Sequence, residues 1–192
     1  MLKLGILLLF FSLAAFSRTP VWVSGGFFLS QISDMAPKEM GKKQTAHGFN
    51  FAAEVSPGTP HIAAHYGYRD QNQSSAQYRP GSMIDETKSF TLSQHEVGVK
   101  FFRPVHHMEL FAGLGAIFGN ATLGGESRSA LGPYWNLGID FFRKDRPEGL
   151  RFEYQGTTLR TERFNHLSKR RLSFDQSSFS LALVLGFGKE KR

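Results

Sequence analysis

Residues 178–192 read SFSLALVLGFGKEKR, with an apolar side chain at every second position: Phe179, Leu181, Leu183, Leu185 and Phe187. A repeat of two is the repeat of a β-strand, whose successive side chains point to opposite faces. Seven earlier segments carry the same alternation, at residues 20–31, 46–56, 60–70, 90–103, 108–119, 131–143 and 149–161, and the eighth covers 173–187. No long segment has helical periodicity. A chain built this way is all-β, and each strand must bury a large apolar face against either a protein core or lipid.

The connections alternate in length. ISDMAPKEMGKKQT follows the first strand and only PGT the second. QNQSSAQYRPGSMIDETKS follows the third, PVHH the fourth, NATLGGESRSA the fifth, KDRPE the sixth and ERFNHLSKRRLS the seventh. Long and short links in strict alternation are expected of an eight-stranded antiparallel up-and-down transmembrane β-barrel, with its short turns in the periplasm and its long, mobile loops outside the cell. Strands of roughly 9–14 residues also suit tilted membrane strands better than the five or six residues common in globular sheets.

The N-terminus supports export. MLK is a short basic start, LGILLLFFSLAAF an apolar run of signal-peptide length, and AFS a small-residue cleavage site, so residues 1–17 are expected to be a cleaved signal peptide and residues 18–192 the barrel domain. A membrane anchor helix would need about 20 apolar residues. The formal charge is +7, and +6 once Lys3 leaves with the signal. The cations fall mostly between strands rather than on one patch, which argues against nucleic acid as partner. With no cysteine in the chain, disulfides, thiolate metal sites and cysteine nucleophiles are excluded.

The two faces of each strand differ. Phe49, Phe51, Ala53 and Val55 oppose Asn50, Ala52 and Glu54; Trp135, Leu137, Ile139 and Phe141 oppose Tyr134, Asn136, Gly138 and Asp140. In a soluble lipocalin-like carrier the bulky apolar face would line the interior. In a membrane barrel it meets lipid, and the narrow lumen takes small residues and charges. Glycine and alanine recurring among the charges favour the membrane sense, as do aromatic residues near strand ends such as Tyr66, Tyr68, Phe101, Phe141 and Phe187.

On this strand pattern the chain resembles the small OmpA/OmpX-like outer-membrane barrels. The resemblance implies residence in the outer membrane of a Gram-negative bacterium, a non-enzymatic structural or surface-interaction role, and recognition of the last strand by the barrel assembly machinery through a final aromatic residue. Phe187 stands in that place here, with GKEKR after it.

Three groups of residues could carry function. Glu54, Arg69, Glu96, Lys100, Glu109, Asp140, Arg151 and Glu153 are assigned to the lumen, where opposite charges must pair because an unpaired buried ion is costly. Such a set either plugs the barrel or lines a gated ion path. Arg160, Arg163, Lys169, Arg170 and Arg171 form a basic outer loop, suited to solvent or to lipopolysaccharide phosphates. The third group is catalytic. The sequence is also similar in length and layout to lipid A 3-O-deacylases, which use a His-x-Ser pair and a downstream acid. His166, Ser168 and Asp175 are the matching residue types, placed in a loop rather than a strand. They define the alternative of a lipid A-modifying hydrolase. No cofactor is expected. Metal binding is not expected either: His61 and His65 stand about 13 Å apart along a strand, and His106 and His107 are adjacent in a turn. Asn72 and Asn120 begin glycosylation-like triplets that read as chance loop sequence.

Overall fold

The computed structural model describes residues 20–36, 43–57, 61–78, 86–106, 108–142, 147–165 and 170–187. The expected signal segment, His166, Ser168, Lys169 and the tail after Phe187 lie outside them.

Eight strands follow one another: β1 (Val21–Ala36), β2 (Lys43–Val55), β3 (Ile62–Tyr78), β4 (Glu86–Val105), β5 (Met108–Leu123), β6 (Glu126–Phe142), β7 (Glu148–Phe164) and β8 (Arg170–Phe187). Each pairs antiparallel with its sequence neighbours, and β1 closes on β8 to complete a barrel. Val21 pairs with Phe187, so the quoted C-terminal strand lies along the first one. Closure leaves no sheet edge with unpaired backbone groups, which a hydrocarbon environment requires.

The outer surface carries an apolar belt. On β8 the exposed side chains are Phe179, Leu181, Leu183, Leu185 and Phe187; on β1 Phe27 is 78% exposed and on β6 Leu131 is 63% exposed. From Phe179 to Phe187 the strand rises about 26 Å, or roughly 20 Å along the axis at the usual tilt, close to the height of a membrane belt. A water-soluble protein rarely presents a continuous apolar surface of this extent. The apolar face therefore meets lipid, the reverse of a carrier with an apolar interior.

The strands run further than the sequence alternation suggests, chiefly at the end away from the chain termini, here termed the distal end. Asn120–Leu123 and Glu126–Ser129, expected within a link, pair with each other across a two-residue turn. Gly124 and Gly125 make that turn with φ of 56° and 86°, the left-handed values that a tight hairpin demands and glycine supplies without strain. Residues 71–78 and 86–89 likewise extend β3 and β4. In this extension the sense of the faces inverts. Phe90 and Leu92 point inward while Thr91 and Ser93 face out; nearer the termini Glu96 and Lys100 point inward while Val97 and Val99 face out. The distal part of the barrel thus has the inside of a water-soluble β-barrel, and the part nearer the termini that of a membrane barrel.

Candidate functional site

The lumen is built in layers. Strand alternation alone sends Glu54 from β2, Arg69 from β3, Glu96 and Lys100 from β4, Glu109 from β5, Asp140 from β6, and Arg151 and Glu153 from β7 to the inside, and all eight are buried. Seven of them form a linked set. Arg151 grips Asp140 with Nε and Nη2, each donating over 2.7 Å. The same guanidinium donates to both oxygens of Glu54, Nη2 to Oε2 over 3.0 Å and Nη1 to Oε1. Lys100 Nζ reaches Glu54 Oε1 at 3.0 Å and donates to Glu153 Oε2 at 2.8 Å. Arg69 continues the chain to Glu153 Oε1 at 2.5 Å and Glu96 Oε1 at 2.8 Å, and donates to Ser178 Oγ at 2.7 Å. Bidentate contacts of this kind hold their partners in one geometry.

His65, which its sequence neighbours did not mark as part of this set, stands inside it. Its Nδ1 lies 3.6 Å from Glu54 and its Nε2 3.5 Å from Glu96. The signal was available: His65 shares the inward parity of Arg69 on β3. His61 sits in the turn before β3 and is exposed. Among the described residues no group of three or more His, Cys, Asp or Glu side chains is arranged to hold a metal ion.

Aromatic rings support the cations. Lys100 Nζ lies 4.6 Å and Arg151 Cζ 4.7 Å from the Phe111 ring centre, positions in which the ring quadrupole attracts positive charge. Phe111 can lie there because Gly138 opposes it: a Cβ at that position would sit 2.2 Å from Phe111 Cζ. Distal to the charges comes an amide layer, in which Gln94 donates to Gln176, and Gln176 and Ser30 both donate to Gln71. Beyond it the lumen is filled by apolar side chains including Ile32, Phe90, Leu92, Ile117, Leu159 and Phe174. Phe90 and Phe174 meet edge to face at 5.8 Å. A cavity of about 10 Å³ remains among Ser24, Asn50, His65, Arg69 and Glu153, room for about one water.

The basic residues expected in a loop are in strands. Arg160 and Arg163 are on β7 and Arg171 on β8, all exposed on the outer wall, and Arg170 begins β8. The ladder shifts register between Arg160 and Arg163, then pairs Arg163 with Arg171. The cause is the inward apolar set, Leu159, Phe164, Leu172 and Phe174, which extends strand pairing into this region. Asp175 is on the outer wall of β8, where its carboxylate accepts a 2.6 Å hydrogen bond from Thr158. His166 and Ser168 lie outside the described residues.

An apolar belt outside, paired charges inside and full antiparallel closure define a transmembrane β-barrel of the small eight-stranded outer-membrane type. Among solved structures, that of Neisserial surface protein A (NspA) is similar to it with a TM-score of 0.66 at 11% identity, over 89% of this chain and 98% of that one. Ail, the attachment invasion locus protein of Yersinia pestis, solved in complex with the heparin analogue sucrose octasulfate, aligns with a TM-score of 0.52 at 17% identity, over 89% of this chain and all of that one. No family model matches the sequence, and no curated protein matches it.

Proposed function

We propose that the protein is a non-enzymatic, non-conducting outer-membrane barrel whose distal wall projects from the cell and contacts anionic surface glycolipid or other polyanions. The observation that carries this reading is the double closure of the lumen. The charged layer is crossed by Arg69, Lys100 and Arg151, and the distal layer is filled by apolar side chains that are almost fully buried. Eight strands enclose little more than their own side chains. The wall above the belt is polar and carries Arg160, Arg163 and Arg171. A barrel of the same fold, Ail, has been seen with a polysulfated anion, a precedent for this class of partner.

The full chain, refolded in detergent, is expected to migrate faster on SDS gels unboiled than boiled, and to show no conductance steps after insertion into a planar bilayer. Regular unitary steps would replace the plug with an ion path. The hydrolase alternative is tested separately with hexa-acylated lipid A. Fatty acid release that disappears in Ser168→Ala would establish it.

A further inference from the structure

On the outer wall the ladder between β7 and β8 pairs Thr158 with Asp175, then Arg160 with Ser173 and, after the register shift, Arg163 with Arg171. Thr161 and Glu162 of β7 oppose Leu172 alone, so the shift is a β-bulge with one extra residue. Strand alternation counted from Arg160 would turn Arg163 inward. The extra residue turns it outward instead, opposite Arg171, and both side chains are exposed. Residues directly opposite on one face have Cβ atoms about 4.5–5.5 Å apart, and like charges so placed repel. Arg160 stands on the same face one row nearer the membrane, diagonal to Arg171.

The bulge is braced from both neighbouring strands. Leu172 N donates to Thr161 Oγ1 at 3.0 Å. From β6, Arg128 Nε donates to the Arg163 carbonyl at 2.7 Å, and the Asn165 amide donates to both oxygens of Glu126 at 3.0 Å. Arg128 also pairs with Glu126 and is neutralised by it. Arg160, Arg163 and Arg171 are not: among the described residues no carboxylate lies within ion-pair distance of them. Glu162 is exposed beside them, and Asp175 accepts a hydrogen bond from Thr158. Three cations thus share an outer patch with one neighbouring carboxylate, on a backbone bent so that two of them face each other. Two guanidinium forks side by side suit sulfate or phosphate oxygens, which accept paired N–H donors.

Height decides which anions reach the pair. Along β8, Phe179 is the last apolar side chain of the outer belt, and Arg171 lies as far beyond it as Phe187 lies on the other side. That is about 26 Å of strand, or roughly 20 Å along the barrel axis. Lipid head groups extend only about 5–8 Å beyond the hydrocarbon on each side. A head-group phosphate is therefore out of reach, whereas an anion carried on a saccharide chain is within it. We infer that Arg163 and Arg171, with Arg160 beside them, bind sulfate or phosphate esters carried on saccharide. The inference rests on the reading of the distal wall as a polyanion-contacting surface and assigns that contact to this pair.

The full chain refolded in nonionic micelles is titrated with sucrose octasulfate by calorimetry at low ionic strength. Arg163→Gln and Arg171→Gln are each expected to weaken binding about tenfold. Arg163→Lys with Arg171→Lys keeps both charges but loses the forks, and is expected to retain only part of the affinity. Arg103→Gln removes an exposed arginine at the opposite end of the barrel and is expected to change nothing. Inorganic sulfate is expected to compete only in large excess, and phosphatidic acid added to the micelles not at all. Each variant is checked for its fold by the gel shift on heating. If the protein binds the sugar and the double Arg163→Gln, Arg171→Gln variant binds it equally well, the wall reading stands and the arginine pair is not the site. If phosphatidic acid displaces the sugar, the ligand is a lipid head group and the saccharide assignment fails. If inorganic sulfate displaces it at equal concentration of sulfate groups, the pair is a bare anion site and the saccharide assignment fails again. If the wild type does not bind the sugar, both readings fall.

Discussion

Replacing Arg151 by Met tests whether the lumen is a dry, interlocked plug. Arg151 is 3% exposed and directs its guanidinium at two carboxylates. Glu54 keeps a partner after the replacement, since Lys100 Nζ stays 3.0 Å away. Asp140 loses the only cation within ion-pair distance among the described residues. The penalty is therefore that of one stranded buried carboxylate rather than two, about 3–5 kcal/mol. Urea unfolding of the refolded barrel in micelles, followed by tryptophan fluorescence, should show that loss. Adding Asp140→Asn removes the stranded charge and should recover all but about 1–2 kcal/mol, the residue being lost neutral hydrogen bonds and cation–π contact with Phe111. Raising salt should leave the wild-type midpoint nearly unchanged, because buried pairs are poorly screened. A loss below about 1 kcal/mol, or a double variant no more stable than the single one, would refute the reasoning and mean that water fills this layer.

Three further outcomes follow from other parts of the barrel. Leu183→Arg, at the middle of the belt and 66% exposed, should cost about 2–4 kcal/mol of stability in a bilayer, measured by reversible unfolding in vesicles; Ser173→Arg on the distal wall of the same strand should cost almost nothing, and equal losses would place the membrane elsewhere. Gly138→Ala should displace the Phe111 ring, since the added carbon would meet it at 2.2 Å; the barrel should lose about 1–3 kcal/mol to strain, and full stability would show that the ring has another seat. Phe90→Ala with Phe174→Ala opens the apolar layer but leaves the charged one, so the double variant should remain non-conducting in planar bilayers; current through it would show that the apolar layer, not the ion-pair layer, is the seal.

The sequence by itself determined the strands, their number and the side each residue takes, because a period of two needs only local geometry to be read. Glu54, Arg69, Lys100 and Arg151 could be assigned to the inside before any fold was known. The inverted distal section was also written locally: Phe90 and Leu92 share parity with Lys100, against Val97 and Val99, and Leu172 and Phe174 run opposite to Phe179 and Leu181. A face assigned once per strand hides that switch, which is why residues around Gly124 and Arg163 read as links. Other features depended on closure. Which carboxylate meets which cation is decided by the stagger of strands far apart in sequence: Arg69 reaches Glu153, 84 residues away, and Arg151 reaches Glu54, 97 away. His65 joined the charges for the same reason. Alternation says which face a side chain takes, but its neighbours across a barrel are set by register, and register is a property of the closed sheet.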